Sequence, residues 1–242
     1  MEVPQRINKE WLVKRLVSKL TNNTKIHDLI TSSNPRSPIS EAFRTLRTNI
    51  TFSSIDQEIK KILITSALPG EGKSTTIANL AVAYAQENKK VLILDADLRK
   101  PTLHQRFLKS NRVGLSNLLV NQVKVTDVIL ETDIPNLSII TSGAVPPNPS
   151  ELLSSANMQL LLEQLINDYD LILIDSPPTL AVTDSQILST MCDGVVFVLN
   201  YGKVKRRLAK KALLSLEHVK ARVLGAILNN KPSKKNDSFY YN

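Results

Sequence analysis

One decapeptide constrains this chain more than any other feature. Ser66-Ala67-Leu68-Pro69-Gly70-Glu71-Gly72-Lys73-Ser74-Thr75 follows a short apolar run, Ile62–Thr65, and opens a segment of helical period, Lys73–Gln86. A glycine-rich corner between a buried strand and a helix is what a phosphate-cradling loop requires. Successive backbone N–H groups at the helix start can point at phosphate oxygens, and Gly70 and Gly72 let the backbone come close. Lys73 would neutralise β- and γ-phosphate charge and the Ser74 hydroxyl would reach Mg2+, with Pro69, Glu71 and Thr75 completing the loop. The pattern G-x-x-x-x-G-K-[ST] is broken once, where Ala67 stands for the first glycine. Gly-Lys-Ser-Thr behind a buried strand retains the chemistry.

From Lys60 onward, β-rich apolar runs alternate with segments of helical period. The runs are Ile62–Thr65, Val91–Leu94, Leu137–Thr141, Leu171–Ile174, Val195–Leu199 and Val223–Leu228. They are nearly continuous rather than alternating, as central strands covered on both faces are. The expected fold is α/β, a P-loop NTPase-like, mostly parallel sheet flanked by helices on both faces. Helices are expected at Ile39–Phe52, Lys73–Gln86, Ser154–Asn167, Asp184–Met191 and Lys203–Val219, with shorter ones between Pro101 and Leu130. Ser37-Pro38 opens the first, with Ser40 as its candidate cap.

Three parts follow from this pattern: an amino-terminal extension and linker at 1–35, a nucleotide-binding domain at 36–230, and a mobile tail at 231–242. In the extension, Ile7, Trp11, Leu12, Leu16 and Leu20 form an apolar stripe on a basic helix, suited to its own core, a partner or an anionic membrane surface. Thr31–Pro38, rich in Ser, Asn and Pro, has the composition of a linker. In the helix from Lys203, Val204, Leu208, Ala212, Leu216 and Val219 form the inward stripe and leave several Lys and Arg residues toward water.

Composition removes other classes. Cys192 is the single cysteine, so no internal disulfide can form, and three histidines are scattered without metal-ligand spacing. No apolar run approaches the ~18–20 residues of a membrane span, which points to the cytoplasm. A net charge of +9 suits solvated faces, an acidic partner or a phosphate-rich ligand. Without interleaved aromatics or a recognised motif, it argues against nucleic acid.

A phosphate site of this kind needs carboxylates at strand ends. Asp95 and Asp97 lie just past one strand, in Leu94-Asp95-Ala96-Asp97-Leu98-Arg99-Lys100-Pro101, and Asp175 ends another, in Ile174-Asp175-Ser176-Pro177-Pro178. Ligands of parallel sheets bind outside the carboxyl ends of the strands, so Lys73, Asp95, Asp97 and Asp175 should converge. Without Mg2+ their repulsion would oppose nucleotide binding.

These motifs resemble the bacterial tyrosine kinases (BY-kinases) of capsular and exopolysaccharide synthesis, in the separate cytoplasmic form of Gram-positive bacteria. The resemblance spans residues 36–242, with Ser66–Thr75 as Walker A, Leu94–Pro101 as Walker A′, Leu171–Pro178 as Walker B and Pro146–Leu153 as the Pro-rich segment. Glu41, Arg44 and Arg47 match the family's E-x-x-R-x-x-R motif, which implies an oligomerisation edge closing a ring. Tyr240 and Tyr241 stand where the family carries autophosphorylated tyrosines. The resemblance implies an ATP- and Mg2+-dependent protein-tyrosine kinase that phosphorylates these tails between subunits. Ser74, Asp97 and Asp175 would hold Mg2+, with ATP or ADP on the loop. Asp95 would take the tyrosine proton, although Asp95 and Asp97 could exchange roles. Asn229, at the last strand's end, is a candidate to read the adenine edge. The implied partners are the cytosolic tail of a transmembrane activator, which recruits the kinase to the inner face of the membrane, and a protein-tyrosine phosphatase.

Two other readings share these residues. A MinD/ParA-type ATPase on membrane or DNA has the same fold and carboxylates, but carries a signature lysine where Leu68 stands and lacks the tyrosine tail. A nucleotide-gated scaffold of a polysaccharide export complex need not keep Lys73, Ser74 and the three aspartates.

Overall fold

The computed structural model describes residues 29–53 and 58–231. The Trp11 stripe and the tyrosines Tyr240 and Tyr241 lie outside them. In chain order the elements are α1 (Ile30–Ser33), α2 (Pro38–Phe52), β1 (Lys61–Ser66), α3 (Lys73–Ala85), β2 (Val91–Asp95), α4 (Leu103–Arg106), α5 (Leu115–Leu119), α6 (Val125–Val128), β3 (Leu130–Glu131), β4 (Leu137–Ile140), α7 (Pro149–Leu153), α8 (Ala156–Leu165), β5 (Leu171–Asp175), α9 (Asp184–Ser189), β6 (Gly194–Asn200), α10 (Arg206–His218) and β7 (Val223–Asn229).

The strands form one sheet in the order β3-β4-β2-β5-β1-β6-β7. All neighbours pair in parallel except the antiparallel edge strand β3. The six apolar runs are the six parallel strands. β3 was not anticipated, because two residues carry no pattern.

Alternation along each strand divides the core in two. Leu63, Leu92, Leu94, Ile172, Ile174 and Phe197 face a layer with Met158, Leu162, Leu165, Leu188, Ala212 and Leu216, from α8, α9 and α10. Ile62, Ile64, Ile93, Leu173, Val196 and Val198 face the opposite layer, with Ile77, Leu80, Ala81 and Tyr84 of α3 and Ile50 of α2. Helix α3 is buried nearly all round, since the sheet covers one side and α1 and α2 cover the other.

The polar residues between α2 and α3 have buried work. Ser37 caps α2 by accepting the Ser40 N–H at 3.0 Å, with Pro38 at the first turn. Ser40 is therefore not the cap; its hydroxyl donates to the carbonyls of Ile30 and Asn34 at 3.0 and 2.6 Å. Nor are residues 31–33 an open linker. Thr31 is fully buried and donates through its N–H and its hydroxyl to Asn79 Oδ1, both at 3.0 Å, while Asn79 Nδ2 donates to the Thr75 carbonyl at 3.0 Å. Asn79 thus joins the amino-terminal layer to the helix that carries the phosphate loop.

Asn79→Ala would leave two buried donors of Thr31 without an acceptor and should destabilise the protein by about 1–3 kcal/mol. Urea denaturation measures this; a loss below about 0.5 kcal/mol would mean that the contact is replaced at no cost.

Candidate active site

The phosphate loop leaves β1 and turns into α3 through two residues in left-handed conformations. Gly70 has φ +76° and Gly72 has φ +95°, values that side chains resist. A Cβ on Gly72 would also lie 2.0 Å from Asn229 Nδ2. Ala67 is not among the positive-φ residues, so the position of the missing glycine needs none. The buried Glu71 carboxylate folds back inside the loop and accepts the Ala67 N–H through Oε2 at 2.9 Å. Burial raises its pKa above the ordinary carboxyl range. Gly72, at the cap of α3, has no side chain to cap with. The first-turn N–H groups of Lys73, Ser74 and Thr75 are left for a ligand.

The carboxylates converge as their strand positions require. Asp95 and Asp175 pair in register on β2 and β5, and Asp175 pairs with Ile64 of β1, two residues before the loop begins. Ser74 Oγ donates to Asp175 Oδ2 at 2.8 Å, and the Ser176 N–H donates to Asp175 Oδ1 at 3.2 Å. Asp97 Oδ1 accepts the Lys100 N–H at 3.0 Å. Asp95 is fully buried; its Oδ2 takes a 3.4 Å contact from the Leu103 N–H, and its Oδ1 has no partner.

Desolvation, and then the charges of Asp175 and Asp97, raise the Asp95 pKa well above the ordinary value. Desolvation also raises Asp97, against the pull of the Lys100 N–H and Lys73. Asp175 is pushed up to about 6 by burial, with Lys73 and Ser74 opposing. Three carboxyls sharing Lys73 and the half-buried Arg106, whose charge also acts on Asp175, still make a site short of positive charge.

Hard oxygen donors, the Ser74 hydroxyl and the carboxylates of Asp97 and Asp175, fit Mg2+. Among the described residues, no group of three acidic side chains is close enough to chelate a bare ion.

In front of these groups lies a cavity of about 640 Å³ with two different walls and a basic rim of Arg99, Lys100 and Arg106. Pro69, Gly70, Gly72, Lys73, Ser74, Thr75 and Asp97 form the phosphate wall, while Pro177, Pro178, Ala181 and Val182 form an apolar one. Asn229 stands beside the loop: its Nδ2 donates to the Glu71 carbonyl at 3.0 Å, and its Oδ1 accepts the Asn230 N–H at 2.9 Å. The amide braces the loop and keeps one N–H and one lone pair for a ligand.

The E-x-x-R-x-x-R residues do not form one edge. Glu41 and Arg44 pair at 2.8 Å on the surface of α2. Arg47 turns inward, donating to the Ala83 carbonyl at 2.7 Å and pairing with Glu87. It grips the far end of α3.

Sequence reasoning also passed over Arg99 and Asp184, which make an ion pair at the cavity rim, the carboxylate fully buried and the guanidinium partly exposed. An aspartate opening a helix has an ordinary look, and nothing local marks its partner. Among the described residues, no helix is long and apolar enough to cross a membrane.

Residues 59–223 match the AAA domain family. The chain is 46% identical over 214 residues to the tyrosine-protein kinase YwqD of Bacillus subtilis, covering 88% of this chain and 90% of that protein. The kinase domain of the Escherichia coli tyrosine kinase ETK superposes with a TM-score of 0.82 at 35% identity, covering 86% of this chain and 82% of that one. The septum site-determining protein MinD of Pyrococcus horikoshii, complexed with Mg-ADP, is more distant: TM-score 0.62, 26% identity, 73% of this chain and 72% of that one.

The raised Asp175 pKa carries a pH dependence. A carboxyl with a higher pKa folded than unfolded holds an extra proton in the folded state. Its contribution to stability is complete below the ordinary ~3.9 and is lost as pH rises through about 6. In metal-free protein, Asp175→Asn should therefore flatten the fall in thermal midpoint between about pH 4 and 7. A profile parallel to wild type across that window would mean that Asp175 does not hold the proton.

Proposed function

This chain belongs to the bacterial tyrosine-protein kinases, and from that premise we propose how its site works and what it acts on. It is a protein-tyrosine kinase with a P-loop nucleotide site, acting in capsular and exopolysaccharide synthesis. The loop amides and Lys73 hold the β- and γ-phosphates. Ser74, Asp97 and Asp175 would hold Mg2+, directly or through water, and when bound it would offset phosphate charge that the carboxylates otherwise repel. The apolar wall of Pro177, Pro178, Ala181 and Val182 suits a phenol ring.

Asp95 accepts the proton of the tyrosine hydroxyl as the phenol oxygen bonds to the γ-phosphorus of ATP and the bond from that phosphorus to the β,γ-bridging oxygen breaks, releasing ADP. The observation that carries this role is its unpartnered Oδ1 together with a raised pKa, since a more basic carboxylate is a better acceptor. Asp97 is oriented by its own turn and serves the metal. Asn229 braces the loop and offers its remaining donor and acceptor to the adenine edge.

The acceptors are Tyr240 and Tyr241 of another copy. Subunits meet in a ring through the Glu41–Arg44 face of α2, while Arg47 ties that helix to α3. β7 ends beside the loop, and the stretch of chain from Lys231 to Tyr240 reaches roughly 30 Å when fully extended, so transfer within one chain is the alternative to be tested. The cytosolic tail of a transmembrane activator recruits and stimulates the kinase at the inner face of the membrane, and a protein-tyrosine phosphatase reverses the modification.

Mixing two variants tests both catalysis and its direction. Lys73→Met is incubated with Tyr240→Phe/Tyr241→Phe and Mg-ATP, with the activator tail present, and phosphotyrosine is mapped by mass spectrometry. Phosphate should appear on the tail of the Lys73→Met chain. Labelling of Lys73→Met on its own would refute the site assignment; labelling of wild type but not of the mixture would refute transfer between subunits.

A further inference from the structure

We propose that Asp184 is a positioning residue for phosphoryl transfer, acting through Arg99 to hold Asp97 where it serves the metal. Asp184 opens α9 and is fully buried. Its two oxygens grip Arg99 as a fork: Nε donates to Oδ2 at 2.8 Å and Nη2 to Oδ1 at 3.0 Å. Ser150 of α7 closes a triangle, donating to Asp184 Oδ1 at 2.7 Å and accepting from Arg99 Nη2 at 2.9 Å.

Asp97 lies two residues before Arg99, in the irregular segment between β2 and α4. The Lys100 N–H orients its carboxylate, so Asp97 goes where this turn goes. The Arg99 fork anchors the turn to α9 and α7, and α9 packs on β1, the strand that delivers the phosphate loop. The contact thus fixes one half of the site, Asp97, relative to the other half, Lys73 and Ser74.

Stability alone explains such a contact poorly. Desolvating a carboxylate offsets much of the attraction it gains from its partner, and apolar side chains of similar volume often serve as well. What a guanidinium on both oxygens of a carboxylate does supply is a single orientation. The Ser150 hydroxyl, from the Pro-rich segment, satisfies a further oxygen lone pair and gives that segment a task at the cavity rim.

The proposal rests on assigning Asp97 to the metal. Full-length wild type, Asp97→Asn, Asp184→Asn, Arg99→Lys and the Asp184→Asn/Arg99→Lys double variant are titrated with a fluorescent ADP analogue across a Mg2+ series, with thermal melts alongside. Asp184→Asn and Arg99→Lys should each raise the Mg2+ midpoint for nucleotide binding about tenfold and leave binding in EDTA unchanged. The double variant should be no worse than either single one, as for two halves of one contact. A wild-type midpoint in either single variant, or binding weakened equally with and without Mg2+, overturns the proposal. Should Asp184→Asn fail to fold, Arg99→Lys decides by the same criterion. An unmoved midpoint in Asp97→Asn would remove the metal assignment itself; a shift there but not in Asp184→Asn or Arg99→Lys would remove only the positioning role.

Discussion

Like charges gathered in a dry place set the terms for this molecule. Asp95 and Asp175 end neighbouring strands in register, Asp97 follows at once, and Lys73 and the half-buried Arg106 are the cations beside them. Each carboxyl is held above its ordinary range by burial, and Asp95 further by its neighbours. An arrangement so short of positive charge is costly unless something cationic arrives with the ligand. The protein-tyrosine kinase chemistry follows, because phosphoryl transfer needs positioned charge more than covalent help.

The fold keeps these groups together by ordinary means. Parallel strands β2, β5 and β1 lie side by side, so their carboxyl ends share one edge. Helix α3 starts at the phosphate loop and is clasped along its length, by Asn79 on Thr31 midway and by Arg47 on Ala83 near its end. A helix buried on every side cannot shift without disturbing the core, which keeps Lys73 and Ser74 in place. Helix α2 belongs to the same clasp, so a contact formed on its Glu41–Arg44 face is one layer away from the helix bearing Lys73.

Much of this was legible in the sequence, and the reasons are specific. Strand positions were visible because central parallel strands are continuous apolar runs, and the phosphate loop was visible because its residues are contiguous. The convergence of Asp95, Asp97 and Asp175 on Lys73 followed from strand-end geometry. What was missed depends on partners distant in the chain. Thr31 and Ser40 read as linker and cap because their composition is polar, yet Thr31 meets Asn79 at a separation of 48 residues. Arg99 meets Asp184 at a separation of 85. Helical spacing grouped Arg47 with Glu41 and Arg44, but spacing alone cannot tell a charge turned toward a neighbouring subunit from one turned onto its own backbone.

The most direct test of this account is calorimetric titration of the full-length protein with ADP, once with Mg2+ and once with EDTA. If the buried carboxylates must be balanced by a cation before phosphates can enter, affinity should fall at least about tenfold without Mg2+. Equal affinity in both titrations would contradict it, and would mean that Lys73, Arg106 and the loop amides alone offset the charge of Asp95, Asp97 and Asp175.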